Sequence, residues 1–269
     1  MRDGNAAALE LETLLEHLKQ TRGFDFTAYK RTTLSRRIEK RMTAVGVDSY
    51  PAYLDYLQVD QGEFNHLFNA ILINVTSFFR DADTWAFLRA EIVPKIIEAA
   101  DRADSHIRIW SAGCASGEEC YSIAIAFAEA MGIERFRQRV KIYATDADED
   151  ALAAARQASY TDRQVEELPA DMRDKYFDPA GTRWIFKKDL RRSVIFGRHD
   201  LLDDAPISRV DLLLCRNTLM YFNHEAQARI IHRFHFALRE GGFLVLGKAE
   251  MLLNFVGAFM PADLKHREE

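Results

Sequence analysis

The chain has 269 residues, of which 48% are hydrophobic and 29% charged, and its formal net charge at pH 7 is −5. This length exceeds that of a single small binding module, and the six prolines and thirteen glycines exclude collagen-like and mostly disordered chains. The negative charge gives no bulk attraction to nucleic acids or anionic membranes.

The first residues and the cysteines bear on where the protein works. Residues 1–16 lack the basic and apolar regions of a secretory signal, and no apolar run reaches the roughly 18 residues that a membrane span needs. The cysteines Cys114, Cys120 and Cys215 are too few and odd in number for a disulfide framework. We therefore expect a cytoplasmic protein with no membrane insertion.

Residues 1–73 are predicted to form an all-α N-terminal domain. Their apolar residues recur at spacings of three and four, without an alternating β-branched run. Breaks at Gly23, Gly46 and Gly62 separate the candidate helices. The predicted helices are 9–21, 27–45, 49–58 and 63–73.

The second of these helices is strongly basic. Segment 30–41 contains six cations and one anion, a net charge of +5, which leaves −10 for the rest of the chain. On a helix, an apolar stripe adjoins a face with four cations. These cations are Arg36, Arg37, Lys40 and Arg41. Such a face is either solvated or a docking surface for an acidic partner, and the contrast with the acidic remainder favours docking.

After residue 74, strands alternate with helices, which is typical of a Rossmann-like α/β fold built on a parallel sheet. The predicted strands are 106–110, 140–145, 210–215 and 243–247, and the predicted helices are 118–131, 149–157 and 224–239. The segment 172–199 interrupts this alternation. Its β-like runs 182–187 and 193–198 indicate an inserted antiparallel hairpin. We therefore predict a second domain over 74–269 with a β-subdomain inserted at 172–199.

Two strand ends indicate the kind of ligand, because ligands of doubly wound sheets bind at the carboxyl ends of the strands. Small residues fill the turn 111–117, and Asp146 ends the next strand with a carboxylate suited to ribose hydroxyls. Glu118 and Glu119 begin the following helix, where they would repel a phosphate. This favours cationic S-adenosylmethionine over NAD or ATP. Alternatively, the two glutamates only complement the helix dipole.

Four segments make a resemblance specific. They are Asn74-Val-Thr-Ser-Phe-Phe-Arg80, Trp110-Ser-Ala-Gly-Cys-Ala-Ser-Gly-Glu-Glu-Cys-Tyr-Ser122, Ala144-Thr-Asp-Ala-Asp148 and Cys215-Arg-Asn-Thr-Leu-Met-Tyr-Phe222. With these motifs the chain resembles the CheR family, the chemotaxis receptor glutamate O-methyltransferases, over essentially its whole length. The resemblance implies an S-adenosylmethionine methyltransferase sheet, S-adenosylmethionine as cofactor, and the cytoplasmic coiled coil of a chemoreceptor as partner.

The resemblance also implies the site residues. Those implied to bind the cofactor are Asn74, Thr76, Arg80, Ala112, Gly113, Glu119, Asp146, Asp200, Leu201, Arg216 and Asn217. Among them, Glu119 binds the amino-acid part of the cofactor and Asp146 the ribose. The catalytic residues would be Arg80, Asp146 and Tyr221. We hypothesise that Arg80 and Tyr221 orient the acceptor carboxylate and the methyl group.

Some features depart from the family pattern or bear on further ligands. Cys120 replaces the usual proline, which we expect to alter only the helix start. The link 188–192 lacks the glycine-bearing extension of members that tether to a receptor's C-terminal peptide, so no tether is expected. His232 and His235 have no third ligand at suitable spacing, so we expect no metal. The end of the chain resembles longer family members in which sensory domains follow. As to oligomeric state, we expect a monomer.

Three functions remain open from the sequence. The first is methylation of receptor glutamates, with the basic helix docking an acidic coiled coil. The second is a sensory or scaffold domain that binds S-adenosylmethionine or S-adenosylhomocysteine without turnover. The third is an RNA methyltransferase that uses the basic helix. The acidic remainder and the absence of a basic-aromatic stripe weaken the third, so no nucleic acid partner is expected.

Overall fold

The computed structural model describes residues 2–22, 24–72, 74–250, 259–260 and 262, without the side chains of residues 2–5, 22 and 61. The chain divides into two compact units. The helical unit comprises Met1–Ile73 and Met220–Gln227, and the sheet unit comprises Asn74–Leu219 and Ala228–Glu269.

The helical unit contains the four predicted helices. They are α1 (Arg2–Arg22), α2 (Arg31–Val45), α3 (Tyr50–Val59) and α4 (Gln61–Ile71), with a 3-10 turn at Phe26–Ala28. Gly46 ends α2 in the left-handed conformation, at φ +73°, as glycine readily does. The Asp60 side chain accepts the Gly62 N–H at 2.9 Å and so caps α4. Helix α2 begins later than predicted because residues 26–28 form a separate turn.

A distant segment of the chain completes this unit. Residues 220–227 return to it, where Asn223 donates its N–H to the Ala28 carbonyl at 2.8 Å. Tyr29 and Phe222 form an antiparallel β-bridge, with ring centroids 4.7 Å apart. The predicted boundary at residue 73 does not anticipate this return, because it depends on contacts between residues far apart in sequence.

The sheet unit alternates strands and helices. Its strands are β1 (Ile107–Ala112), β2 (Val140–Asp146), β3 (Ser159–Thr161), β4 (Phe177–Ala180), β5 (Arg183–Phe186), β6 (Val194–Arg198), β7 (Val210–Cys215) and β8 (Leu238–Leu246). The helices that follow α4 are α5 (Ala82–Phe87), α6 (Val93–Arg102), α7 (Glu118–Met131), α8 (Ile133–Arg139), α9 (Glu149–Gln157), α10 (Asp162–Val165), α11 (Ala170–Tyr176), α12 (Lys188–Arg191) and α13 (His224–Ala237). A π-helical segment, Leu88–Ile92, joins α5 to α6, and a 3-10 turn, Leu219–Tyr221, precedes α13.

Five strands form a parallel sheet in the order β6-β2-β1-β7-β8. Every residue of β7 is buried, which is why its residues are apolar without alternation, except Asp211, which forms an ion pair with Arg239. The connections lead in opposite directions on either side of the β1–β7 pair, and in sheets of this kind ligands bind beyond the carboxyl ends of the strands at such a point. The predicted Rossmann-like class is confirmed.

The antiparallel insertion is present, but its predicted hairpin is wrong. Residues 193–198 do not pair with 182–187; β6 pairs in parallel with β2 in the main sheet. The three-stranded antiparallel sheet has the order β3-β5-β4. Both runs are β-like, and periodicity does not specify which strand is the partner. The short helix α12 redirects the chain between β5 and β6.

The end of α13 also differs from the prediction. The helix stops at Ala237 rather than 239, and β8 starts at Leu238 and contains Gly241 and Gly242. A Cβ at Gly242 would lie 3.1 Å from the Val210 carbonyl oxygen, so this glycine serves close strand approach rather than a helix end. Among the described residues, no helix is long and apolar enough to span a bilayer.

Candidate active site

The turn after β1 is fastened to the end of β2. Gly113 and Cys114 both donate their N–H groups to the Thr145 carbonyl, at 2.8 and 3.0 Å. Gly113 has φ +78°, and a Cβ there would collide with the Thr218 hydroxyl. Only glycine fits both restrictions. The buried Ala112 precedes it as the last residue of β1, so the turn begins at the carboxyl end of the sheet.

Asp146 presents a half-buried carboxylate at the end of β2. One oxygen accepts the Ala115 N–H at 2.8 Å and the other accepts the Asp148 N–H at 3.0 Å. Burial raises the pKa of Asp146 above its ordinary value, against the effect of these backbone hydrogen bonds. Each oxygen keeps further acceptor capacity, which suits a pair of ribose hydroxyls.

Glu119 lies beside an arginine from the end of β7. Its Oε1 accepts the Ser111 hydroxyl at 2.8 Å, and its Oε2 lies 3.4 Å from Arg216 Nη1. Burial raises the pKa of Glu119, although Arg216 and Ser111 oppose this. Glu118 instead accepts the Gln164 amide at 3.1 Å. The two adjacent glutamates therefore have different partners, and Glu119 is the one associated with the strand ends.

Arg216 joins this carboxylate to the segment that contains Arg80. Arg216 Nη2 donates to Asp81 Oδ2 at 2.5 Å and to the Arg80 carbonyl at 2.7 Å. The Arg80 guanidinium donates to the Val75 carbonyl at 2.7 Å. Sequence analysis missed Asp81, although its place directly after the Asn74–Arg80 motif and before α5 was an available signal.

The backbone on both sides of Arg80 is unusual. Phe79 and Asp81 have φ values of +49° and +64°, a left-handed conformation that is unfavourable for residues other than glycine. The Phe79 N–H donates to the Ser122 hydroxyl on α7 at 3.0 Å. Residues held in this conformation cluster at functional segments, which agrees with a functional role for residues 79–81.

Asn74 lies near the Asp146 turn. Its amide donates to Asp148 Oδ2 at 2.6 Å. Asp148 Oδ1 accepts the N–H groups of Asp150 and Ala151 and so caps α9. Asn74 is thus linked through Asp148 to Asp146, the carboxylate proposed to bind the ribose. Thr76 is half-buried in the same loop.

Asp200 and Leu201 follow β6. Asp200 Oδ1 accepts the Leu202 N–H at 2.8 Å, and burial raises the pKa of Asp200. Leu201 is 9% exposed. The aspartate therefore shapes its own turn, while the leucine supplies an apolar side chain at the neighbouring position.

A carboxylate outside the predicted set fixes Asn217. Asn217 is left-handed, at φ +59°, and its N–H donates to Glu250 Oε2 at 2.9 Å. The same oxygen accepts the Gly247 N–H at 2.8 Å. Glu250 therefore joins the turns after β7 and β8. No spacing rule in the sequence indicated this pairing.

The predicted docking cations lie in the helical unit and do not share one exposed face. Arg37 is buried and donates to main-chain carbonyls at the end of α4. Arg41 forms a two-point ion pair with the buried Glu63, at 2.6 and 2.7 Å. Arg36 and Lys40 are exposed. The common-face prediction is wrong because α2 packs against α4, so the cations on that side bind groups of the same unit.

The donor set in the sheet unit fits S-adenosylmethionine. Glu119 and Asp146 are carboxylates, the groups that an ammonium and ribose hydroxyls can donate to. Arg216 Nε is buried without a hydrogen-bond partner among the described residues, so it can donate to a carboxylate. No group of three or more His, Cys, Asp or Glu within the described ranges could hold a metal ion. The fold and these donors define a class, the S-adenosylmethionine-dependent methyltransferases.

Comparison with known proteins specifies the family. The family model described as "CheR methyltransferase, SAM binding domain" matches residues 74–267, and that described as "CheR methyltransferase, all-alpha domain" matches residues 9–72. The chain belongs to the CheR methyltransferase family. S-Adenosylmethionine is the cofactor of its sheet domain.

Curated relatives agree with this assignment. The chain is 33% identical over 246 residues to a chemotaxis protein methyltransferase of Listeria innocua, with 91% of the chain and 89% of that protein covered. It is 32% identical over 256 residues to chemotaxis protein methyltransferase 1 of Pseudomonas aeruginosa, covering 93% of each. It is also 37% identical over 266 residues to an uncharacterised 104.1 kDa protein in the hypE 3′ region of Rhodobacter capsulatus. The match covers 98% of the chain but only 28% of that longer protein.

Cofactor affinity should depend on pH above the usual carboxyl range. Glu119 and Asp146 have raised pKa values, so lowering the pH neutralises them early and removes their attraction for a cationic ligand. We expect calorimetry to show weaker S-adenosylmethionine binding at about pH 5 than at about pH 7.5. Ordinary carboxyls of pKa about 4 are still mostly ionised at about pH 5, so they would not cause this loss. Glu119→Gln should weaken binding and flatten part of this dependence. Constant affinity across the range, with the fold intact by circular dichroism, would contradict the assignment.

Proposed function

We propose that the chain transfers a methyl group from S-adenosylmethionine to glutamate side-chain carboxylates of a chemoreceptor, forming methyl esters, in the cytoplasm. The observation that carries this proposal is the pairing of Glu119 with Arg216 and Ser111, close to Arg80, in a family whose named relatives include chemotaxis protein methyltransferases. The three cysteines are free and buried, which suits a reducing compartment.

The proposed chemistry makes modest demands on the protein. S-Adenosylmethionine supplies, when bound, an activated methyl group on a sulfonium. A glutamate acceptor with a reference pKa of about 4.3 is ionised at neutral pH, so no general base is required. The protein has to orient the acceptor and exclude water. We assign Glu119 and Asp146 to holding the cofactor, and Arg80 and Tyr221 to orienting the reacting groups.

The remaining cations of α2 support receptor docking. Arg36 and Lys40 are exposed, and they belong to the basic segment 30–41 of an otherwise acidic chain. An acidic coiled-coil surface would be attracted to this place. We propose that residues 1–73 dock the receptor and residues 74–269 carry out transfer, as a monomer and without a peptide tether.

Asp146→Ala tests the cofactor site. Loss of hydrogen bonds from a charged acceptor should weaken binding of S-adenosylmethionine and S-adenosylhomocysteine by about 10–100-fold, as measured by calorimetry. Asp171→Ala, an exposed aspartate on α11, is the matched control and should leave both affinities unchanged. Equal affinity of Asp146→Ala and the unaltered chain would contradict the proposed ribose contact.

Methyl-ester formation tests the reaction. The chain, S-adenosylmethionine with a labelled methyl group, and the cytoplasmic fragment of a chemoreceptor should give base-labile methyl esters on glutamates, located by mass spectrometry. An RNA arm in the same assay should remain unlabelled. Tight cofactor binding without labelling of receptor fragments would favour a sensory or scaffold domain that binds the cofactor without turnover. Labelled RNA would favour an RNA methyltransferase.

A further inference from the structure

The segment that contains Tyr221 is built onto the helical unit. The Lys30 N–H donates to the Tyr221 carbonyl at 2.9 Å. One residue further along, Phe222 forms the β-bridge and ring contact with Tyr29. The backbone of Tyr221 is therefore held by the start of α2 and by the turn before it.

The side chain of Tyr221 contacts the same unit through Arg37. The guanidinium carbon of Arg37 lies 5.1 Å from the centre of the Tyr221 ring, within the range of a cation–π interaction. Arg37 Nη1 also donates to the Ile71 carbonyl, and to the Ala70 carbonyl at 3.4 Å. These carbonyls lie at the C-terminal end of α4, which a cation stabilises.

The burial of Arg37 decides what it can do. Arg37 is 7% exposed, and its guanidinium is occupied by a helix end on one side and an aromatic ring on the other. A guanidinium is planar, so it can donate in its plane while its face contacts a ring. An external acidic partner would have to displace these contacts, whereas Arg36, the preceding residue, is exposed.

We infer that Arg37 is a positioning residue for Tyr221 rather than part of the docking surface. Its guanidinium contacts the tyrosine ring while donating to the carbonyls at the C-terminal end of α4, so the helical unit itself contains the residue that holds the ring. The inference rests on the proposed function, because the role of Tyr221 in transfer is part of that proposal. Its physical content, a ring held by Arg37, can be measured without turnover.

A double-mutant cycle tests how Arg37 acts. In Arg37→Gln, kcat should fall about tenfold or more, because small misplacements of reacting groups cost up to about 100-fold. The receptor KM and the cofactor affinity should stay within about twofold of the unaltered chain, as expected for a residue that touches neither ligand. In a Tyr221→Ala background, Arg37→Gln should lower kcat by no more than about twofold, because its target is already absent.

The control removes a similar contact elsewhere. Arg173 lies 4.3 Å from the ring centre of Trp184 in the sheet unit, and Arg173→Gln should leave kcat unchanged. Arg37→Lys should restore part of kcat, since an ammonium keeps the charge without the planar fork. A raised receptor KM, or losses that multiply in the double variant, would overturn the inference and return Arg37 to docking.

An NMR measurement separates the inference from the proposed function. With ring-labelled tyrosines, the Tyr221 signal is identified by its disappearance in Tyr221→Phe. It should shift in Arg37→Lys and Arg37→Gln, and stay in place in Arg173→Gln. If no receptor is methylated and the signal shifts, the proposed function fails while the positioning contact stands. If the signal does not move in folded Arg37 variants, the positioning contact is refuted.

Discussion

Replacing Arg216 by methionine should nearly abolish cofactor binding and destabilise the protein. The arginine side chain is 3% exposed and joins Asp81, Glu119 and the Arg80 carbonyl. Methionine leaves two poorly hydrated carboxylates without their cation. Removing one partner of a buried ion pair costs about 3–5 kcal/mol, and each lost hydrogen bond to a charged group about 1.5–3 kcal/mol.

We expect the affinity for S-adenosylmethionine to fall by up to about 100-fold or more and Tm to fall by roughly 6–20 °C, as measured by calorimetry and thermal unfolding. Arg216→Lys should be intermediate because a lysine cannot donate in two directions from one plane. Arg229→Met, at an exposed position on α13, is the control. Unchanged binding in a folded Arg216→Met chain would exclude Arg216 from the cofactor site.

Replacing Arg41 by methionine should destabilise the helical unit. Arg41 holds Glu63, whose side chain is 2% exposed and also accepts the Tyr53 hydroxyl at 2.6 Å. Burial of Glu63 opposes ionisation, but hydrogen bonds from Arg41 and Tyr53 outweigh it and lower the pKa of this carboxyl. Without Arg41 the carboxylate is buried with one neutral donor. We expect a loss of about 3 kcal/mol in the free energy of unfolding at neutral pH.

The pH dependence of this loss gives a second measurement. A carboxyl whose pKa is lower in the folded state stabilises the protein at pH values above its unfolded-state pKa, which is 4.5 for Glu63. That stabilisation disappears as the pH falls through the pKa of the folded state. The difference in Tm between Arg41→Met and the unaltered chain should therefore shrink below about pH 4.5. Glu63→Gln in the Arg41→Met background should recover part of the loss. Lys40→Met, at an exposed position, should have little effect at any pH, and equal losses in both variants would refute the argument.

Much of the fold followed from local pattern. The helices Glu118–Met131 and Glu149–Gln157 have the predicted ends, because a glycine or an aspartate lies at the N-cap and the apolar spacing is regular. The strand of residues 193–198 shows where such patterns stop. Its residues favour an extended backbone and could pair with β2 or with β5. That it pairs with β2 depends on the packing of the whole sheet.

The site shows the same division. The sequence predicted that Asp146 and the pair Glu118 and Glu119 lie near the ligand, because parallel strands bring their carboxyl ends to one edge and position along the chain predicts position in space. Asp81 and Glu250 were missed because their roles depend on the partners Arg216, Asn217 and Gly247, which are distant in sequence. Arg37 was assigned to a charged surface because helical periodicity gives a direction around α2 but not the neighbour in that direction.

The sequence by itself determined the alternation of elements, the strand ends that hold the acidic residues, and the motifs that define the family. These follow from local backbone preference, side-chain periodicity and residue chemistry. The tertiary structure alone decided which cations remain exposed, which strand joins which sheet, and that residues 220–227 belong with the helices. Those outcomes depend on which distant groups meet, because burial and hydrogen bonding between them determine whether a charge is solvated, paired or held against a ring.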